Sequence, residues 1–136
     1  MAKIFIDTNI LLYSLDQHDP KRQHLSRQKL KQITQKDQGV VSTQVLQEFY
    51  VAAVQKMGVE PLVAKGILTS LENFEVVVIQ VPLIKDAVDC HILNQISFWD
   101  ALVVVSAASA KCDLLWTEDL NAGQVIHGVQ IENPLK

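Results

Sequence analysis

The stretch Lys3-Ile4-Phe5-Ile6-Asp7-Thr8-Asn9 decides how the rest of the chain is read. Ile4-Phe5-Ile6 is a short β-branched and aromatic run of the kind that forms a strand, and Asp7 closes it with a carboxylate. Thr8-Asn9 then leads into residues 10–15, where a helix is expected. The same alternation recurs downstream. Helices are expected over 21–35, 44–56, 61–71, 83–95 and 98–111, and strands over 40–41, 75–79, 113–116 and near 129–131. Alternation of this kind implies a mainly parallel sheet covered by helices on both faces, an α/β sandwich. In open parallel sheets ligands bind in the crevice beyond the carboxyl ends of the strands, which is where Asp7 falls.

Two segments sharpen the architecture. Ala101-Leu102-Val103-Val104-Val105-Ser106-Ala107-Ala108 is apolar all round, which predicts a helix buried on most sides. Val76-Val77-Val78-Ile79 is a continuous β-branched run, as expected of a strand covered on both faces. No repeat, linker or low-complexity tract interrupts the 136 residues, so residues 1–136 are read as one domain. With 49% hydrophobic residues, a chain of this length can build a core without staples. Cys90 and Cys112 form no C-x-x-C pair and lie in apolar surroundings, which predicts buried free thiols in a reducing compartment. The first residues lack the apolar run of a secretion signal, and no stretch is long enough to span a membrane. A cytoplasmic location with no membrane partner is the expectation.

The net charge of −3 excludes a uniformly basic nucleic-acid-binding surface, but the charge is uneven. Lys21, Arg22, Arg27, Lys29, Lys31 and Lys36 fall in a stretch without Asp or Glu, which carries +6 and leaves six cations against fifteen carboxylates, −9, on the remainder. Such a helix either tracks a phosphate backbone or is simply a solvated face.

Four acidic residues occupy unlikely places. Asp7 ends the first strand and could also cap the following helix. Glu48 stands among Val45, Phe49 and Ala52, a helical stripe expected to face the sheet, or reaches solvent from its margin. Asp100 opens the most apolar helix three residues after Ser97, which also fits a capping box. Asp119 follows the strand Leu114-Leu115-Trp116 in Thr117-Glu118-Asp119, where a turn residue is the ordinary alternative and Glu118 competes for the same role. Jointly, the topology would bring all four carboxylates to one crevice. Crowded like charges in a partly dry pocket raise one another's pKa unless a cation neutralises them. Oxygen-only ligation suits Mg²⁺ or Mn²⁺, whereas His18, His24, His91 and His127 show no zinc-ligand spacing.

Ile4-Phe5-Ile6-Asp7-Thr8-Asn9, Glu48 on a mid-chain helix, Phe98-Trp99-Asp100-Ala101-Leu102 and Leu115-Trp116-Thr117-Glu118-Asp119-Leu120 resemble, in order and spacing, the PIN-domain nucleases, over essentially the whole chain. The resemblance implies a three-layer α/β/α fold, Mg²⁺- or Mn²⁺-dependent endonucleolytic cleavage of RNA, and kinship with VapC-type toxins of bacterial toxin–antitoxin pairs. Carried over position by position, Asp7, Glu48, Asp100 and Asp119 would be the catalytic and metal-binding quartet, with Asn9 and Thr117 as supports. Asn9 would bond Asp7 and fix its rotamer. The basic segment would hold the RNA backbone. A homodimer and a small antitoxin protein are further implications, with Leu11, Leu12, Tyr13, Leu15 and Phe49-Tyr50-Val51 as groove or core candidates. Two rivals stand beside this reading. One is a phosphatase using Asp7 as nucleophile, although its D-x-D motif would need an Asp where Asn9 stands. The other is a non-catalytic RNA- or protein-binding module in which the four carboxylates only cap helices.

Overall fold

The computed structural model describes all 136 residues. β1 (Lys3–Ile6) lies inside a six-stranded sheet, with β2 (Gln38–Ser42) and β4 (Leu114–Trp116) parallel on its two sides. Ile4, Phe5, Ile6, Val40, Val41, Leu115 and Trp116 are all buried, because these strands are covered on both faces. β3 (Glu75–Val77) flanks β2, and β6 (Val129–Glu132) flanks β4, both in parallel. Only β5 (Val125–Ile126) is antiparallel, and the order is β3-β2-β1-β4-β6-β5.

α1 (Thr8–Tyr13) and α2 (Pro20–Lys36) join β1 to β2, and α3 (Thr43–Gln55) and α4 (Pro61–Leu71) join β2 to β3. α5 (Val81–Asn94) and α6 (Phe98–Ser109) carry the chain back across the sheet to β4. The first two crossovers step in one direction and the third steps back. With right-handed connections, α1 to α4 therefore cover one face and α5 and α6 the other. The packing agrees: α3 lies against α1 and α4, α5 against α6, and α6 against β2, β4 and β6. This is the expected three-layer sandwich. The strand order reverses between β1 and β4, so a crevice opens at their carboxyl ends.

Ala101 to Ala107 are buried without exception, as an all-round apolar helix requires. Cys90 and Cys112 are buried and unpaired. The run Val76-Val77-Val78-Ile79 behaves differently from its expectation. β3 ends at Val77 on the edge of the sheet, and Val78 is 63% exposed, because a strand with one neighbour is shielded less than its composition suggests. β5 is too short to register as a pattern. It is produced by the turn His127-Gly128, whose positive φ values of 52° and 79° match a tight hairpin. No single helix is long and apolar enough to cross a membrane.

Candidate active site

Asp7 leaves β1 at its carboxyl end and caps α1, so the two readings of this residue coexist. Its own N–H donates to the Trp116 carbonyl at 3.0 Å, extending the β1–β4 ladder into the crevice. The Thr8 N–H donates to Oδ1 at 2.8 Å, and the Thr117 hydroxyl donates to Oδ2 at 2.7 Å. Asp7 is only 5% exposed. Burial pushes its carboxyl up to about 7, and the charges of Asp119 and Glu48 add to the rise, while the Thr117 and Thr8 bonds oppose it. The rotamer of Asp7 is thus set by Thr117 and Thr8, not by Asn9 as expected. Asn9 sits past the cap, on the first turn of α1, and its amide lies beside Asp119 instead.

Glu48 is exposed, so it does not stand on the buried stripe. That stripe is Val45, Phe49 and Ala53, and Glu48 occupies its margin on the crevice side. Its Oε1 accepts from the Thr8 hydroxyl at 2.9 Å, and its Oε2 lies 3.5 Å from the Gln44 amide. The same Gln44 Nε2 donates to the Trp99 carbonyl at 3.3 Å, tying α3 to the first turn of α6. Asp100 occupies that turn. Ser97 caps it by accepting from the Asp100 N–H at 3.0 Å, which leaves the carboxylate half-exposed. Asp119 reaches solvent, while its N–H donates to Thr117 Oγ1 at 3.1 Å. Partial burial raises its carboxyl, then the charges of Asp100, Glu118 and Glu48, and Asn9 pulls the other way.

Four segments widely separated in sequence therefore converge. Asp7 feels Asp119 and Glu48, and Asp119 feels Asp100 and Glu48. A cavity of about 530 Å³ exposes Asp7, Thr8, Asn9, Glu48 and Asp119, with Gln47, Gln55 and Lys56 on its α3 wall. It continues past Asn9, Leu12 and Lys56 into a larger groove of about 820 Å³, walled by Leu15, Met57 and Val59. Leu12, Tyr13 and Leu15 line that groove, whereas Leu11 and Phe49 belong to the core.

The acidic donors are all oxygen: Asp7, Glu48 and Asp119 line the crevice with one lysine, and Asp100, near enough to raise Asp119, stands outside that lining. The buried Asn9 Oδ1 has no hydrogen-bond partner, an acceptor that the hydration shell of an ion can serve. A buried carboxyl held near 7 is relieved by a cation more than by any other change. These residues fit Mg²⁺ or Mn²⁺, hard cations that take carboxylate and water. No three of them already close into a ligand shell, so binding requires rotation of the exposed Glu48 and Asp119 side chains.

The basic segment divides in two. α2 begins beside the crevice and ends where β2 starts, at the opposite edge of the sheet. Arg22 and Lys36 are fourteen residues apart, about 21 Å along the helix axis. Lys21 is exposed at the start of the helix, Arg22 is engaged by Glu118 and Asp19, and Arg27 Nε donates to the Ser14 carbonyl at 2.8 Å. Lys29, Lys31 and Lys36 lie progressively farther toward the amino edge, so the +6 stretch does not flank the crevice as a unit. A 17-residue helix is too long for one end of a sheet to hold.

Thr8, Gln44 and Lys56 went unnoticed in the sequence. Gln44 stands four residues before Glu48, which is neighbour spacing on a helix and could have revealed it. Lys56 gave no signal, since it enters the crevice only because α3 ends there.

A doubly covered parallel sheet with a carboxylate crevice at its switch point defines an acidic α/β site. The PIN domain family matches residues 4–126, and the chain belongs to that family. Among solved structures, a chain of the DNA-bound VapBC complex from Salmonella typhimurium is similar, at a TM-score of 0.70 and 16% identity over 98% of this chain and 99% of that one. Mycobacterium tuberculosis VapC20, described as a sarcin-ricin loop cleaving toxin, gives 0.68 and 15% over 85% and 89%. A toxin–antitoxin complex from Klebsiella pneumoniae gives 0.67 and 20% over 93% and 94%. No curated protein matches the chain.

Proposed function

We propose that this chain is a metal-dependent endoribonuclease that hydrolyses RNA phosphodiester bonds with Mg²⁺ or Mn²⁺ held by Asp7, Glu48, Asp100 and Asp119. The observation that carries this reading is Asp7, buried, with its carboxyl pushed up to about 7 by that burial and by the charges of Glu48 and Asp119 from two other segments, while Asp100 in turn raises Asp119. A buried carboxylate beside other carboxylates is costly, and a cation among them would offset that cost. When bound, the ion supplies charge for a phosphate oxygen and lowers the pKa of a water poised for in-line attack.

The chain's own residues do the rest. Asp7 and Asp100 are the principal ligands. Thr117 and the Thr8 N–H hold both Asp7 oxygens, so the carboxylate cannot swing away when the site empties. Glu48, steadied by Thr8 and Gln44, and Asp119 complete the cluster through water or orient the nucleophile. Lys56, which lines the crevice, would hold an RNA phosphate there, and Lys21, exposed at the start of α2, would hold one farther out.

The solved VapBC complexes, and the cleavage attributed to VapC20, support a finer reading: this chain is a cytoplasmic toxin whose partner is an antitoxin. A homodimer belongs to the same proposal, and Val81, Ile84, Val88 and Ile92, exposed along one face of α5, suit a subunit contact. The test is incubation of the purified chain with a structured RNA pool. Fragments are expected with Mn²⁺, and none with chelator or with Asp7→Asn. Equal cleavage by Asp7→Asn would overturn the proposal, and a melting temperature indifferent to Mn²⁺ together with intact RNA would favour the binding module.

A further inference from the structure

The turn that carries Asp119 contains two adjacent carboxylates, and the structure sends them in opposite directions. Thr117 and Asp119 face the acidic crevice, where Thr117 bonds Asp7 and accepts from the Asp119 N–H. Glu118 turns away into the neighbouring groove and is caught there. The Tyr13 hydroxyl donates to Glu118 Oε1 at 2.8 Å and accepts from Arg22 Nη1 at 2.6 Å. Arg22 Nη1 lies 3.5 Å from Glu118 Oε2, and its guanidinium sits 4.9 Å from the centre of the Tyr13 ring. Asp19 holds the same guanidinium from behind, with its Oδ2 3.6 Å from Nε. Three elements meet in this contact: the end of α1, the first turn of α2 and the turn after β4.

We propose that Tyr13, Arg22 and Glu118 form a latch that positions Asp119 for metal ligation and withholds Glu118 from the same ion. The inference rests on the proposed metal site. Its physical basis is that Asp119 is exposed and its one side-chain partner, Asn9, stands on a different element, so its place also depends on the backbone of residues 117–119. Thr117 anchors one end of that backbone through the sheet, where its N–H donates to the Glu132 carbonyl at 3.1 Å. Glu118 anchors the middle. A charged pair with a shared hydroxyl, partly shielded from water, is stronger than an exposed ion pair alone. Burial and then Glu118 raise the Tyr13 phenol, which keeps it a donor across the neutral range. With the latch open, Glu118 is free to compete for the cation and Asp119 loses its fixed start. Arg22 is accordingly a positioning residue and not an RNA contact.

The experiment measures Mn²⁺ affinity of the full chain by calorimetry, amide exchange of residues 118–120 in the metal-free protein, and steady-state RNA cleavage. The variants are Tyr13→Phe, Arg22→Gln, Arg22→Lys, Glu118→Gln and the Tyr13→Phe/Glu118→Gln double, with Asp119→Asn as reference. Tyr13→Phe and Arg22→Gln should weaken Mn²⁺ binding about tenfold, as loss of an outer support does, with kcat at saturating Mn²⁺ and KM for RNA unchanged. Arg22→Lys should restore part of the affinity. The double variant should lose no more than the worse single, because both act through one contact. Amide exchange of 118–120 should quicken about tenfold in Tyr13→Phe.

Unchanged Mn²⁺ affinity in Tyr13→Phe and Arg22→Gln, beside a loss in Asp119→Asn, would overturn the latch and leave the metal site standing. A raised KM for RNA with a shallower salt dependence and unaltered metal binding in Arg22→Gln would make Arg22 a phosphate contact instead. A lowered melting temperature alone would reduce the contact to a stabilising one. Full Mn²⁺ affinity in Asp119→Asn would remove the metal role on which the latch depends. Unchanged amide exchange in Tyr13→Phe overturns the positioning claim regardless of any nuclease activity.

Discussion

Asp7 combines three jobs in one side chain: it ends a strand, caps a helix and contributes the most strongly displaced carboxyl of the site. Its folded pKa lies above the unfolded value near 3.8, so the folded state binds the extra proton between about pH 4 and pH 7. Stability associated with this residue is present below pH 4 and is lost as pH rises through 7 without metal. Asp7→Asn keeps the shape and removes the charge. The metal-free variant should therefore be more stable than the natural chain by roughly 1–3 kcal/mol at pH 8, by less at pH 5 and by little below pH 4, read as a difference in Tm that vanishes on acidification. Thr117→Val should act in the opposite sense. It removes the donor to Asp7 and the acceptor for the Asp119 N–H, and should cost about 1–3 kcal/mol in urea unfolding while weakening Mn²⁺ binding.

At the scale of elements, the strands and helices were legible because their apolar runs and periods agree with their final burial. Ile4-Phe5-Ile6 and the 101–107 helix are the clearest cases. Edge and centre were not legible. Val76-Val77-Val78-Ile79 has the composition of a central strand, yet neighbour order, which no local pattern encodes, leaves it at the margin. The four carboxylates were legible as strand-end and helix-start residues, but their supports were not. Nothing in Asn9 marks it as the companion of Asp119, and nothing in Arg22 separates it from the other cations of α2. Those distinctions arise from crossings between segments more than ninety residues apart. The division of α2 has a testable consequence. Lys21→Gln should weaken RNA binding and lower its salt dependence, while Lys36→Gln, at the far edge, should leave both unchanged in a titration over salt concentration. Gly39 marks another element-level constraint, since a Cβ there would meet the Phe74 ring at 2.5 Å and Ile33 at 2.9 Å. Gly39→Ala should cost about 1–3 kcal/mol of stability in denaturant unfolding, with cleavage per folded molecule retained.

For the whole molecule, the proposed function asks how a chain of net charge −3 would act on a polyanion. On the proposed function, neutralisation of the crevice by a cation would turn its most repulsive region into one that holds phosphate, with Lys56 beside it. In the proposed reading, binding of that ion displaces the proton that burial favours on Asp7. The most direct measurement is calorimetric titration of the chain with Mn²⁺ at pH 7 in two buffers of different ionisation enthalpy. The predicted result is a saturable event that releases about half a proton per ion, as a carboxyl near 7 requires, and that is abolished in Asp7→Asn. Absence of binding at millimolar Mn²⁺, or binding that releases no proton and survives Asp7→Asn, would contradict the account.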